Sequence, residues 1–261
     1  MVTHHLPASA SAPADPADVL ALHAASFGLA ADVYERGRPS YPRKAVEWLL
    51  PRGARDVVDL GAGTGKLTRV LLEQVDEVVA VEPSEGMREI LERVVPRARS
   101  LAGSAESMPL ADDSVDAVLV AQAWHWVDPV VAVPEVARVL RPGGTLGLLW
   151  NIRDETVPWL AALSRVLNQP AERDMQSEAP VVGAPFGEVE RHDVEWVHEL
   201  ERDEFLAMIA SRSYVITLSG DDRAQVLRDV GALLDTHPDT RGVDLIRLPY
   251  VTRCSRAVLL G

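Results

Sequence analysis

The chain has 261 residues, of which 47% are hydrophobic, and its formal net charge is −13. A chain of this length can form one large domain, or a core with a smaller cap. A negative field of this size repels phosphate backbones and anionic lipid surfaces, so nucleic acid and membrane partners are not expected. Cys254 is the only cysteine, which excludes an internal disulfide and a cysteine-rich metal site.

The first 17 residues are rich in alanine, proline and serine, and we predict a disordered tail there. This segment lacks the basic start and the apolar stretch of a secretory signal. No apolar run in the chain approaches the ~18–20 residues of a membrane span, so we expect a cytoplasmic protein. The histidines show no ligand spacing with acidic residues, and no metal site is predicted.

Helices are predicted first at 19–29 and 43–50. From residue 55 to residue 152, apolar runs then alternate with helical periods. The predicted strands are 56–60, 77–82, 99–102, 115–121 and 145–151, and the predicted helices between them are 66–73, 84–94 and 130–140. The residues at 141–144, Arg-Pro-Gly-Gly, predict a turn before the fifth strand. This alternation predicts an α/β fold with a doubly wound, mostly parallel sheet.

The last third of the chain departs from that alternation. Its predicted elements are a helix at 155–167, a loop at 168–186, a strand at 189–200, helices at 203–211 and 221–234 with aspartate caps, and a strand-like segment at 244–260. Pro249 places the last segment at a sheet edge or a bulge. We expect seven strands in one domain over 18–261. A helical lid would consist of 18–50 and of about 200–236, the latter inserted between the last strands.

A glycine-rich turn, Gly61-Ala62-Gly63-Thr64-Gly65, follows the first predicted strand, and Glu82 ends the second. A phosphate-binding P-loop needs Gly-Lys followed by serine or threonine, but here Leu67 follows Lys66. A dinucleotide fingerprint needs a third glycine at the position of Lys66, and its absence weakens that alternative without removing it.

A third alternative for this turn is a binding site for S-adenosylmethionine, which carries no phosphate. Glycine lets the backbone approach a ligand closely, because it has no Cβ. Asp59 at the tip of the first strand can pair with the ligand's ammonium group, and Glu82 can accept hydrogen bonds from both ribose hydroxyls. Dinucleotide enzymes place an acid at the same point, so Glu82 alone does not discriminate between the two cofactors.

Several segments in order resemble class I S-adenosylmethionine-dependent methyltransferases, and the resemblance is closest to the type 11 branch that includes trans-aconitate methyltransferase-like proteins. These segments are 34–42, 59–65, 81–87, 103–110, 121–126, 138–144 and 149–151. The resemblance implies a Rossmann-like methyltransferase fold. It also implies S-adenosylmethionine as the cofactor, S-adenosylhomocysteine as its product, and a small molecule as the methyl acceptor.

The same resemblance implies roles for individual residues. Arg38 would pair with the carboxylate of the cofactor, for which the planar guanidinium is well suited. Gln122 would lie beside the cofactor at the end of the fourth strand. The other implied cofactor residues are Tyr34 in the first matching segment, Asp59, Gly61, Ala62 and Gly63 around the methionine end, Glu82 at the ribose, and Pro83, Met87, Ala105 and Glu106 near the adenine.

Methyl transfer from a sulfonium is an in-line displacement, so the protein chiefly positions the acceptor. A carboxylate acceptor is already ionised, whereas a hydroxyl has to lose a proton. His125 is the candidate general base, and its alternative role is to hold an aromatic wall in place. The candidate substrate residues are Trp124, Trp126, Arg153, Arg212 and Tyr250. The two arginines would bind an acceptor carboxylate.

Two functions besides methyl transfer to a carboxylate or hydroxyl stay open at this point. A nicotinamide-dependent oxidoreductase would use the same turn and the same acid. A binding module could keep the fold and the cofactor without turnover, because a fold does not by itself imply an activity.

Overall fold

The computed structural model describes residues 38–167, 180 and 182–261. The predicted tail at 1–17, the predicted helix at 19–29, Tyr34 and most of the predicted loop at 168–186 lie outside the described residues. Within the described part of the chain, no helix has the length and apolar character needed to cross a membrane. In that same part, no cluster of histidine, cysteine and acidic side chains could hold a metal ion.

A seven-stranded sheet forms the centre of the structure. Its strands are β1 Asp56–Leu60, β2 Glu77–Val81, β3 Arg99–Leu101, β4 Val115–Ala121, β5 Leu140–Arg153, β6 Glu190–Glu201 and β7 Leu245–Val258. They lie in the order β3-β2-β1-β4-β5-β7-β6. The first five strands pair in parallel, and β7 runs antiparallel to both β5 and β6. The prediction of a mostly parallel seven-stranded sheet is confirmed.

Helices connect the parallel strands and fill the interval between the last two strands. They are α1 Arg43–Leu49, α2 Lys66–Leu71, α3 Glu85–Val94, α4 Pro129–Val139, α5 Pro158–Val166, α6 Arg202–Ala210, α7 Ser213–Ile216 and α8 Gly220–Thr236, with a 3-10 turn at Trp124–Trp126. As predicted, helices are inserted between β6 and β7.

Both faces of β1 and β4 are buried, and for this reason these central strands are mostly apolar. Side chains alternate between the faces, so Val58 packs in the cluster that includes α4, while Val57 packs on the other face with α1 and α2. A third cluster joins α5, α6 and α8 to the ends of β6 and β7 that face the carboxyl end of the parallel strands. We call α5 to α8 the cap.

The predicted turn at 141–144 is wrong, because these residues belong to β5. The strand begins at Leu140, and its register with β4 shifts between Val115 and Ala117. Gly143 has a φ of +79°. A strand accommodates extra residues of this kind as a bulge, so the glycine and proline distort β5 without ending it.

The predicted aspartate caps of two helices are also wrong. Glu201 precedes α6, and its N–H donates to the Glu204 carboxylate at 3.1 Å. Ser219 precedes α8, and its Oγ accepts from the N–H of Asp222 at 3.2 Å. Both helices therefore begin one or two residues earlier than the aspartates suggest.

Pro249 lies in β7 between β5 and β6, one residue beyond the last pair with β5. Its carbonyl accepts from the N–H of Asp154 at 3.0 Å, just beyond the last pair between β5 and β7. On its other side it lies opposite Val197 in β6. The proline is tolerated because β5 has already ended on the side that it faces.

We predict that Gly65→Ala destabilises the fold more than Gly53→Ala does. Both glycines have positive φ, +87° and +77°, so each alanine incurs about 1–2 kcal/mol of backbone strain. A Cβ at Gly65 would also lie 2.8 Å from Val95 Cγ2, whereas one at Gly53 meets nothing within 4 Å. Overpacking adds roughly 1–3 kcal/mol at Gly65. Urea unfolding measures both free energies, and equal losses would contradict this reading.

Candidate active site

A cleft opens at the carboxyl end of the parallel strands, next to the boundary between β1 and β4. The chain order reverses direction at this boundary, which is where open α/β sheets bind their ligands. The cleft contains about 550 Å³ of space, open solvent at its mouth included. Its lining residues are Arg38, Pro39, Tyr41, Asp59, Gly61, Ala62, Gly63, Thr64, Lys66, Leu67, Ala121, Gln122, Asn151, Arg212 and Tyr250.

The glycine-rich turn forms the floor of this cleft. The N–H groups of Gly61 and Ala62 both donate to the Val81 carbonyl, at 2.8 and 3.2 Å, and so attach the turn to β2. Gly63 has a φ of +56°, and a Cβ built on it would meet nothing within 4 Å. The backbone therefore presents open space at Gly63, which a close-fitting ligand can occupy.

Asp59 is the acidic group of the cleft, and it is fully buried. Its Oδ2 accepts a 2.5 Å hydrogen bond from Thr68 Oγ1 on α2, while its Oδ1 has no hydrogen-bond partner among the described residues. Burial, with a smaller contribution from the nearby Glu82 charge, raises the pKa of Asp59 to about 7 in spite of the hydrogen bond from Thr68, which lowers it. A buried acceptor of this kind is costly unless a donor pairs with it. Asp59 is thus suited to bind a cationic donor.

Glu82 lies at the end of β2, just behind the turn, and is 8% exposed. Its Oε2 accepts from the Gly63 N–H and its Oε1 from the Ser84 N–H, both at 2.9 Å. Burial raises its pKa in spite of these hydrogen bonds. Each carboxylate oxygen accepts more than one hydrogen bond, so Glu82 still has acceptor capacity for a ligand.

The residues predicted to lie around the adenine do not line the cleft. Met87 and Ala105 are buried, at 4% and 6% exposure, and Pro83 is exposed. Glu106 is half-buried and accepts a 3.2 Å hydrogen bond from the Asp128 N–H. Their role in binding stays a prediction.

Gln122 follows β4 in a left-handed backbone conformation, with a φ of +59°. This conformation costs a non-glycine residue roughly 1–2 kcal/mol. Its N–H donates to the Leu149 carbonyl at 2.9 Å, and its Nε2 donates to the Asn151 carbonyl at 3.2 Å. These bonds to β5 hold the strained residue in the cleft. Strain of this kind is frequent at functional sites.

Arg212 and Tyr250 bring side chains from the cap and from β7 into the same cleft. They are 8% and 2% exposed, and Arg212 Nη2 lies 3.5 Å from the Tyr250 hydroxyl. The Tyr250 ring stacks on Trp196, with centroids 5.4 Å apart. Arg153 pairs with Tyr250 in the sheet but lies outside the cleft lining, and its Nη2 donates to Ser164 Oγ at 3.4 Å.

The three aromatic residues after β4 lie outside the cleft lining as well. Trp124 is buried in the core cluster next to α4. His125 is exposed, with its ring centroid 4.6 Å from that of Trp126, which is 42% exposed. The roles of His125 as a base and of the two tryptophans as a substrate wall therefore stay predictions.

The sequence predicts no individual role for seven residues of the cleft lining, which are Pro39, Tyr41, Thr64, Lys66, Leu67, Ala121 and Asn151. Asn151 ends one of the segments that resemble the family. The one available signal is a polar side chain that follows the apolar run of β5. Its importance depends on partners more than 100 positions away in the chain, such as Thr252, and no local pattern reveals them.

Comparisons with known proteins agree on one family. A family model described as a methyltransferase domain matches residues 58–148. An uncharacterized methyltransferase of Mycobacterium tuberculosis is 51% identical over 234 residues, which cover 90% of this chain and 96% of that protein. An uncharacterized methyltransferase-like protein of Schizosaccharomyces pombe is 33% identical over 229 residues, which cover 84% and 90%.

A solved structure described as a type II methyltransferase, from Anaeromyxobacter dehalogenans, has the same fold. It matches with a TM-score of 0.67 and 25% identity, covering 85% of this chain and 98% of that one. These similarities decide against the oxidoreductase alternative and identify an enzyme that uses S-adenosylmethionine. The chain belongs to the class I S-adenosylmethionine-dependent methyltransferases.

Proposed function

We propose that this methyltransferase forms the methyl ester of a small carboxylic acid, as the trans-aconitate methyltransferase-like branch does. The observation that carries the proposal is the buried Arg212, placed beside the Tyr250 hydroxyl in the same cleft as Asp59. Arginine binds carboxylates with two parallel hydrogen bonds. The proposal therefore assigns the cofactor and the acceptor to one cleft.

At the methionine end of the cofactor, Asp59 binds the ammonium group and Arg38 binds the carboxylate. The support for Asp59 is its buried Oδ1, for which the described residues provide no donor. The support for Arg38 is its place in the cleft lining together with the open space at Gly63. Gln122 lies beside the reacting end.

At the nucleoside end, Glu82 binds the ribose hydroxyls. Its two oxygens already hold the turn through Gly63 and Ser84, and their remaining lone pairs accept from a diol. The adenine then lies among Pro83, Met87, Ala105 and Glu106.

The charge of the cleft supports an anionic acceptor. The whole chain has a net charge of −13, yet Arg38, Lys66 and Arg212 face the cleft with Asp59 as their acidic counterpart. Arg38 is assigned to the cofactor, and we assign Arg212 to the acceptor because it lies beside the Tyr250 hydroxyl. The Tyr250 hydroxyl can donate to the same carboxylate.

A carboxylate acceptor also fits the proton balance of the reaction. S-adenosylmethionine, when bound, supplies a methyl group on a positively charged sulfur. Loss of this methyl group leaves a neutral thioether, so the reaction needs no proton acceptor when the nucleophile is already ionised. Among the described residues that line the cleft there is no histidine. A hydroxyl acceptor would instead need a base such as His125, which lies outside that lining.

We also propose that 18–50 and about 200–236 act together as a lid over the cleft, within a single domain. Arg38 belongs to the first of these segments and Arg212 to the second, and both line the cleft. Closure of such a lid would exclude water from the reacting groups.

The net charge of −13 supports a small molecule as the partner, rather than nucleic acid or a membrane surface. A cytoplasmic location stays a prediction.

The buried Asp59 should make stability depend on pH. Its pKa is 3.8 when unfolded and about 7 when folded. Between these values the folded chain holds a proton that the unfolded chain has released, so the free energy of unfolding falls as pH rises, by up to about 4 kcal/mol. S-adenosylhomocysteine should stabilise the enzyme more at about pH 8 than at about pH 5, because its ammonium pairs with the ionised Asp59.

Unfolding free energies of the wild type and of Asp59→Asn, with and without S-adenosylhomocysteine, test this expectation. The variant should lose the part of the pH slope that comes from Asp59, together with the pH-dependent effect of the ligand. Glu82, whose pKa is also raised by burial, keeps a slope of the same sign. The matched control is Asp116→Asn, because partners lower the pKa of Asp116 and its contribution is lost only in acid. A slope as steep in Asp59→Asn as in the wild type would contradict the assignment.

Arg212→Met should raise KM for the acceptor at least about thirtyfold and leave the Kd of S-adenosylhomocysteine within about twofold, because a charge-assisted pair is lost only at the acceptor.

The acceptor is first identified in a metabolite library that is incubated with methyl-labelled cofactor and analysed by mass spectrometry. The labelled products should be methyl esters. Arg228→Met, at an exposed arginine of α8, is the control. Labelled ethers alone would refute the carboxylate acceptor.

A further inference from the structure

We propose that Asn151 is a positioning residue for the cofactor. Its side-chain amide fixes residues 38–41 against the sheet and so sets where Arg38 meets the cofactor's carboxylate. The inference deepens the proposed function, because it rests on the role of Arg38 given above. It is carried by a directed series of hydrogen bonds that crosses three neighbouring strands.

The series starts on the edge strand, at Trp196 in β6. Its Nε1 lies 2.8 Å from Thr252 Oγ1 in β7. An indole nitrogen only donates, so the Thr252 oxygen is the acceptor here. The single hydroxyl hydrogen of Thr252 is then available for the next partner, Asn151 Oδ1 in β5, at 2.6 Å.

The Ser40 carbonyl fixes the orientation of the Asn151 amide. A backbone carbonyl only accepts, so the amide nitrogen has to face Ser40, to which it donates at 3.0 Å. The amide oxygen therefore faces Thr252 and accepts its hydroxyl hydrogen. Asn151 is 8% exposed and Thr252 is fully buried, so water competes little for these bonds.

The backbone of Asn151 also receives a hydrogen bond from the residue that follows β4. Gln122 Nε2 donates to the Asn151 backbone carbonyl at 3.2 Å. Asn151 thus contacts β4, β7 and the segment before α1. Few other side chains could do this, because the position requires an acceptor and a donor on one short planar group.

Ser40 is the point at which this network reaches the cofactor site. Arg38, Pro39 and Tyr41, on both sides of it, all line the cleft. The Asn151–Ser40 bond joins residues 111 positions apart in the chain. Without it, the segment that carries Arg38 loses its hydrogen bond to the end of β5.

Two ligands separate this role from a general effect on the cleft. S-adenosylhomocysteine carries both the ammonium and the carboxylate. Its decarboxylated analogue, S-adenosyl-3-thiopropylamine, keeps the ammonium and the nucleoside but has nothing for Arg38 to bind. A displaced Arg38 therefore weakens the first ligand and spares the second.

The experiment measures the Kd of both ligands by isothermal titration calorimetry. Asn151→Ala should weaken S-adenosylhomocysteine by about tenfold or more, since small misplacements of binding groups are costly, and should change the Kd of the amine less than about twofold. Thr252→Val should have the same selective effect, without any change to a cleft residue. Thr252→Ser keeps the hydroxyl and should restore wild-type binding.

The proposal is overturned if both ligands weaken equally, if neither weakens, or if Thr252→Ser behaves like Thr252→Val. Arg38→Ala separates this failure from that of the proposed function. If Arg38→Ala removes the preference for the carboxylate ligand while Asn151→Ala and Thr252→Val keep it, only the positioning role is wrong. If Arg38→Ala also keeps the preference, the role of Arg38 is wrong and the positioning role fails with it.

Discussion

A carboxylate buried without a full set of partners determines how the rest of this site is built. Asp59 lies near the end of β1, and among the described residues Thr68 alone donates to it. That arrangement is costly until a donor pairs with the second carboxylate oxygen. It is sustained by the packing of β1 between β2 and β4, which keeps Asp59 buried at the floor of the cleft. The turn, Glu82 and the cleft all lie around this one group.

Under the proposed function, the cap adds an acceptor site to the methyltransferase core. The parallel half of the sheet supplies Asp59 and the glycine turn. The cap supplies Arg212, and β7 supplies Tyr250, which packs with apolar side chains of α5, α6 and α8. The two parts have separate hydrophobic clusters. If the proposed function is right, substitutions in the cap alter the acceptor side with little effect on the cofactor side.

The sheet and the glycine turn were predictable because their signals are local. Apolar runs such as Val57-Val58 indicate a strand that is buried on both faces, and glycines indicate positions where the backbone can have a positive φ. The turn at 141–144 was mispredicted, because the same glycine and proline also fit a bulge when β4 provides a partner strand. Asn151 was passed over because its partners come from three distant segments. His125 follows a strand that ends at the cleft, but the 3-10 turn after Gln122 places it on the surface.

The position of β7 has a consequence for how the protein is made. β5 and β6 are consecutive in the chain, yet they do not pair with each other, because β7 lies between them. While the ribosome is still synthesising the segment after α8, β5 therefore has an open edge and β6 has no partner at all. Exposed edges of this kind invite aggregation. Insertion of β7 covers the open edges of β5 and β6 at once. It also brings Thr252 and Tyr250 into place, so a nascent chain completes its binding cleft only in that final step.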